Sequence, residues 1–227
     1  MASTAGDLGV GPTGGGPYGL KASTAGDPCV GPRAPGRAVV STIMNSRRPG
    51  GLRRRRPQRL VGFDYTRHGA YFVTICSVLR ACIFGEIVGD KMQPNDFGNI
   101  VATTWHEIPE HYPHVTLDEF IVMPNHIHGV LFLGGKTAAP TTTDKSHGPA
   151  RGSLGTVVGS FKSAVTREIN RMQGTRGVSI WQRNYHDRII RDEHELMTIR
   201  AYILDNPRKW ADDTENPAHA IAPAPPP

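Results

Sequence analysis

Two histidines two residues apart, His126-Ile127-His128, directly follow Pro124-Asn125. Alternate residues of a strand share a face, so both imidazoles project together while Ile127 points away. Two neighbouring imidazoles can chelate one divalent metal ion. The plainer alternative is a pair of surface histidines on a half-exposed strand. Tyr202 and Asn206 form a second pair, four residues apart and so stacked on one face of a helix. A tyrosine hydroxyl is a covalent nucleophile when a metal polarises its target, although its free pKa is about 10. An asparagine carbonyl oxygen is a neutral, hard ligand for the same ion. Viewed alone, this pair reads more simply as an amphipathic core residue and a helix cap before Pro207. Tyr185 is a competing nucleophile. It sits amid Arg183, Arg188 and Arg191, which read as backbone contacts to nucleic acid with Tyr185 stacking on a base. An ordinary solvated loop with one aromatic anchor explains that cluster equally well. Asp187 is a reserve ligand, and Lys162 and Arg167 are further candidate phosphate contacts, although exposed helix charges usually do nothing specific. Trp105 and Trp181 read as core.

Elements that could position these groups begin after Phe63. Ala70 to Cys76 is a β-branched and aromatic run of strand length. Pro94-Asn95-Asp96 starts a helix carrying Ile100, Val101, Thr104, Trp105 and Ile108 at helical spacing, ending by Pro113. Leu117 to Met123 and His126 to Leu133 form an antiparallel hairpin around the Pro-Asn turn. Ser153 caps a helix with Val157, Phe161, Ala164, Val165, Ile169 and Met172 on one side. Val178 to Trp181 is expected as the fourth strand. Asp192 caps a last helix with Leu196, Ile199, Ile203 and Leu204, stopped by Asn206-Pro207. The order β-α-β-β-α-β plus one helix predicts an α+β, ferredoxin-like antiparallel sheet with helices on one face. Its open face is a platform for single-stranded nucleic acid.

Composition sets the outer limits. The 227 residues include 26 Gly and 19 Pro, concentrated toward the two ends, so one compact domain of about 155 residues is expected. No run of about 18 apolar residues predicts a spanning helix, and the N-terminus does not read as a secretory signal. Cys29, Cys76 and Cys82 include no C-x-x-C pair, which fits a reduced cytoplasmic setting better than a disulfide or zinc framework. The formal net charge of +6 favours a polyanionic partner. Residues 1–57 carry a twenty-residue repeat (Ala2 to Asp7, again at Ala22 to Asp27) too poor in large apolar side chains to fold, and Met44 is a plausible true start. From Arg47 to Arg59 there are seven arginines and no acid; Arg53, Arg54, Arg55, Arg56 and Arg59 read as a disordered arm that grips phosphates. Residues 58–212 are expected to be the domain, 135–152 a flexible loop within it, and 213–227 a disordered Ala/Pro tail.

Taken together, Met123-Pro124-Asn125-His126-Ile127-His128-Gly129, Trp181-Gln182-Arg183-Asn184-Tyr185 and Tyr202-Ile203-Leu204-Asp205-Asn206-Pro207 resemble the REP-associated tyrosine transposases, single-tyrosine HUH transposases of the insertion-sequence type. Gly69 to Ile75 and Phe84 to Ile87 match as well, and the likeness spans roughly residues 58–211. It implies an HUH endonuclease fold that cuts and rejoins single-stranded DNA. His126 and His128 would hold Mg²⁺ or Mn²⁺, with Asn206 at the third-ligand position, where related enzymes often carry Gln. Tyr202 would be the nucleophile, forming a 5′-phosphotyrosine link. The substrates implied are hairpins of REP-type palindromes, handled by a monomer or homodimer without a membrane, in the cytoplasm at the nucleoid. The alternative is a domesticated hairpin-DNA-binding protein that does not cleave. A metal-dependent phosphodiesterase using water is a third reading.

Overall fold

The computed structural model describes residues 64–134 and 150–217. The arm arginines Arg53 to Arg56 and Arg59, the leader, and most of the 135–152 loop lie outside the described residues, as does the tail beyond residue 217. β1 (Gly69–Cys76) is central and pairs antiparallel with β5 (His126–Leu133) on one side and β6 (His186–Ile190) on the other. β4 (Val115–Val122) pairs antiparallel with β5, giving the order β4-β5-β1-β6. With the helices between these strands, this is the expected α+β, ferredoxin-like arrangement. A second sheet of β2 (Gly85–Val88) and β3 (Lys91–Pro94) was not foreseen, because Glu86, Lys91 and Gln93 mask its apolar signal.

Strand alternation divides the protein into two layers. Tyr71, Val73, Ile75, Ile127 and Leu131 face α1 (Asp96–His106) and α3 (Leu154–Gln173), which bury Val101, Trp105, Val157, Phe161, Val165 and Ile169 against them. A one-turn helix, α2 (Ile108–His111), leads from α1 to β4. Phe72, Val130, Phe132 and Ile190 face the other way and are covered by Leu196, Ile199 and Ile203 of α4 (Glu193–Asp205). The second face is therefore partly roofed by α4 rather than open. The capping expectations hold: Asn95 accepts from the Phe97 and Gly98 amides, Ser153 from Thr156 and Asp192 from Glu195.

Two boundaries differ from expectation. Val178–Trp181 is not the fourth strand; only Trp181 makes an isolated bridge, to Ser77. Its apolar side chains are buried, but its backbone bonds go elsewhere: Val178 N–H to the Asn170 side chain, and Ile180 C=O to Val78 N–H. The paired strand is His186–Ile190, an edge strand whose polar residues hid it. Residues 213–217 also belong to the folded domain. A 3₁₀ segment, Pro207–Asp212, turns the chain back after α4, and Asn216 is buried with its amide on the Trp210 carbonyl.

Gly129 shows why the strand bearing the histidines needs one small residue. A Cβ there would stand 2.4 Å from the Trp105 ring, which stacks on Phe120 with centroids 4.7 Å apart.

Candidate metal and tyrosine site

β5 delivers His126 and His128 to the α4 side of the sheet, beside Phe72 and opposite the layer that holds Ile127. Their Nε2 atoms are 3.0 Å apart, and both residues are buried, at 0% and 3% exposure. Each ring is fixed through its other nitrogen: His128 Nδ1 lies 2.9 Å from Thr74 Oγ1, and His126 Nδ1 lies 2.8 Å from Asn125 Oδ1. Burial pushes the His128 pKa down to about 3. Burial first, then the neighbouring His128 and Arg80, holds His126 well below its ordinary value. Both imidazoles are therefore neutral and able to act as ligands at neutral pH.

α4 places Tyr202 over this pair. Its hydroxyl is 3.3 Å from His128 Nε2, and its ring meets Phe72 edge-on at 6.1 Å. Burial, followed by the Asp213 charge, raises the Tyr202 pKa, so the phenol is protonated at rest, yet the residue is 43% exposed and reachable. Arg200, two residues earlier, grips Asp118 with Nε at 2.9 Å and Nη2 at 2.6 Å. Asp118 sits in the register shift of β4 between Leu117 and Phe120, so the irregularity serves as the anchor for the tyrosine helix.

The fold-back after α4 adds Asp213, which sequence reasoning missed. Its carboxylate is 3.9 Å from His126 Nε2, and the ligand atoms of His126, His128 and Asp213 all lie within 4.8 Å of one another. Burial raises the Asp213 pKa, the first cause of that shift. Asn206 is buried at the helix end, and hydrogen bonding from its side chain reaches Tyr202 and Asp213. Its Oδ1, however, is buried with no hydrogen-bond partner. Buried acceptors are rarely left so, because desolvation without a partner costs about 1–3 kcal/mol. An unmatched carbonyl beside two neutral imidazoles and a carboxylate is a donor set suited to a hard or borderline divalent cation. The 3.0 Å Nε2 separation also fits, since two ligands roughly 2.1 Å from one ion at a right angle span about that distance.

Other candidates fall away from this centre. Tyr185 is 9% exposed and packs in the core with Ile127 and Val73, on the far face of the sheet, which removes it both as a nucleophile and as a stacking platform. Asp187, paired with Val73 in register, shares that face and cannot join the histidines. Lys162 gives its ammonium hydrogens to the carbonyls of Gln182, Arg183 and Asn184 at 2.6, 3.2 and 3.3 Å, so it staples a loop rather than meeting phosphate. Burial pulls its pKa down to about 8. Arg167 lies on the α3 layer, also on the far side. Arg183, Arg188 and Arg191 are exposed; Arg188 pairs with Glu195 at 2.6 Å. Trp105 and Trp181 are buried, as expected. Thr74 and Asn125 were also missed as site residues, although Asn125 lies in the turn before His126 and within the Met123–Gly129 motif that carries the resemblance.

No protein-family model matches the chain. An uncharacterized protein of Haemophilus influenzae is 37% identical over 177 residues, covering 75% of this chain and 97% of that protein. A second H. influenzae protein, provisionally named a REP-associated tyrosine transposase, is 28% identical over 147 residues, covering 64% of this chain and 74% of its own. A solved structure described as the REP-associated tyrosine transposase bound to a REP hairpin aligns with a TM-score of 0.41 at 16% identity, over 66% of this chain and 73% of that one.

Proposed function

Because the chain belongs to one family with the H. influenzae protein 37% identical to it, and resembles the REP-associated tyrosine transposases, we propose that it is a metal-dependent, transposase-like endonuclease and strand transferase acting on single-stranded DNA hairpins. The observation that carries this reading is the reachable Tyr202 hydroxyl 3.3 Å from the buried His128 Nε2, with the unpartnered Asn206 oxygen at the same helix end.

His126, His128, Asp213 and Asn206 are the residues that would hold Mg²⁺ or Mn²⁺. When bound, such an ion neutralises charge developing on phosphoryl oxygens and orients the phosphate for in-line attack. Tyr202 Oη forms a bond to phosphorus while the bond from phosphorus to the 3′ oxygen breaks. The phenol proton is lost and the departing 3′ oxygen gains one, leaving a 5′-phosphotyrosine and a free 3′-hydroxyl. Rejoining reverses the step and needs no nucleotide cofactor, since the phosphodiester energy is kept in the tyrosine ester. Phe72 and His128 hold the phenol ring, and the Arg200–Asp118 pair fixes the helix that carries it. Arg53 to Arg56, Arg59, Arg183, Arg188 and Arg191 would bind the DNA backbone. Residues 58–217 form the catalytic unit in this reading, acting in the cytoplasm as monomer or homodimer. Among the described residues no helix is long and apolar enough to cross a membrane.

Purified protein incubated with labelled hairpin DNA and Mn²⁺ should yield a covalent adduct that survives denaturation. Tyr202→Phe should abolish it, while Tyr185→Phe should leave it. Adduct formation by Tyr202→Phe at the wild-type level would overturn the assignment. Cleavage without any adduct would indicate a water-using phosphodiesterase, and hairpin binding with no cleavage a non-cleaving DNA binder.

A further inference from the structure

The Asn125 side chain is buried and all its polar atoms have defined partners. Its Nδ2 donates to two backbone carbonyls, Arg80 O at 3.0 Å and Glu215 O at 2.7 Å. Carbonyls only accept, so the amide orientation follows from its partners: nitrogen toward Arg80 and Glu215, oxygen toward His126. The Asn125 Oδ1 therefore accepts from His126 Nδ1 at 2.8 Å, and that nitrogen must carry the proton. In a neutral ring the lone pair then sits on Nε2, the atom that faces His128 and Asp213. His128 has no such instruction, because its Nδ1 meets the Thr74 hydroxyl, which can donate or accept.

Both carbonyls that orient Asn125 are themselves held. Leu79 and Arg80 have φ of 57° and 55°, a left-handed backbone uncommon for side-chain-bearing residues. Arg80 Nε then pairs with the Glu215 carboxylate at 2.8 Å. The two segments are thus closed onto one another, with the Asn125 amide between them. Two residues before Glu215 comes Asp213.

The geometry points to Asn125 as a positioning residue of the metal centre: it fixes His126 with its Nε2 lone pair facing the site, and it ties down the segment that brings Asp213 there. This rests on the proposed metal-binding role of His126, His128 and Asp213. Outer partners of this kind typically change metal affinity by about 10–100-fold when removed.

Long-range ¹H–¹⁵N NMR of the metal-free full chain, labelled at histidine, reads the tautomer directly. His126 should carry its proton on Nδ1; a proton on Nε2 overturns the proposal without recourse to any variant. Asn125→Ala should redistribute that proton toward Nε2 and weaken Mn²⁺ binding, followed by electron paramagnetic resonance, about 10–100-fold. Asn125→Asp, whose carboxylate still accepts from Nδ1–H but cannot donate to the Arg80 and Glu215 carbonyls, should retain the tautomer while losing the tie to the Asp213 segment. An Asn125→Ala protein with wild-type tautomer and affinity would refute the role. If wild type carries the Nδ1 proton yet binds no Mn²⁺, the metal reading fails while the orienting role of Asn125 stands.

Discussion

Asn206 and Tyr202 sit one helical turn apart and their side chains face the same centre, but their packing differs in a way that tests their roles. Tyr202 is reachable and partnered, whereas the Asn206 carbonyl oxygen is buried and unmatched. A residue kept only as a helix cap would lose stability on replacement and leave metal affinity alone. A ligand should lose metal affinity whatever the change in stability. Asn206→Leu, similar in volume, is expected to weaken Mn²⁺ binding at least about tenfold, read by titration calorimetry. Its thermal stability in chelator should fall by about 1–3 kcal/mol at most, from loss of the amide nitrogen's bonding to Tyr202 and Asp213, since the deleted oxygen satisfied nothing. Loss of stability with unchanged affinity would return Asn206 to a capping role. Strand and helix periodicity paired His126 with His128 and Tyr202 with Asn206, but what singled out Tyr202 and Asn206 was the family resemblance, since that pair viewed alone reads as a core residue and a helix cap. Asp213 was not legible in the sequence, since its approach to His126 depends on the Pro207–Asp212 turn and on Trp210 packing against Met123. Nothing in local spacing encodes a fold-back, although Asp212-Asp213-Thr214-Glu215 is an acidic run in a basic chain and offered a faint signal.

Helix α4 is held to the sheet by an apolar stripe and by ion pairs that include Arg188–Glu195 and Arg200–Asp118, and the second of these should show itself in pH dependence. Hydrogen bonding from Arg200 is the main reason the Asp118 carboxyl titrates below its ordinary 3.8. A carboxylate with a depressed folded pKa adds stability that is fully present above the unfolded value and fades as pH falls through the folded one. Asp118→Asn should therefore cost about 1–2 kcal/mol near neutral pH, discounting for partial exposure. It should also flatten the decline in stability below about pH 4, followed by denaturant midpoints across pH. A variant that declines with wild-type steepness would exclude this pair as an acid-sensitive tether of the tyrosine helix. Strand β5 makes a complementary prediction. Gly129→Ala drives a methyl into the Trp105 ring and should destabilise by roughly 1–3 kcal/mol, with Trp105→Phe in the same chain recovering part of the loss. Additive losses in the double variant would show that the two sites do not touch energetically. Helix ends were readable because Asn95, Ser153 and Asp192 act on amides two or three residues away. The fourth strand was misplaced for the opposite reason: Val178, Ile180 and Trp181 announce burial, whereas pairing depends on a distant partner, β1, that reaches His186–Ile190 instead.

At the scale of the whole chain, the net charge of +6 is unevenly placed, with seven arginines between Arg47 and Arg59 and no acid among them. The catalytic proposal places chemistry at Tyr202 and affinity partly in this arm, so the two should separate experimentally. Each phosphate neutralised on a single strand contributes about 0.7 to the slope of log affinity against log salt concentration. Replacing Arg53, Arg54, Arg55, Arg56 and Arg59 by Gln should lower that slope by up to about 3.5, measured by fluorescence anisotropy on a hairpin oligonucleotide. Adduct yield at saturating DNA should stay near the wild-type level, because no arm residue is needed to form the tyrosine ester. Replacing exposed Arg183 and Arg191 instead should lower the slope by no more than about 1.4; if these residues also orient the strand over the site, adduct yield at saturation should fall. An unchanged slope after the five arm substitutions would remove the arm from the DNA interface and leave the folded domain as the source of affinity. An arm variant that binds weakly but still forms adduct at saturation would instead establish that grip and chemistry are carried by different parts of the chain.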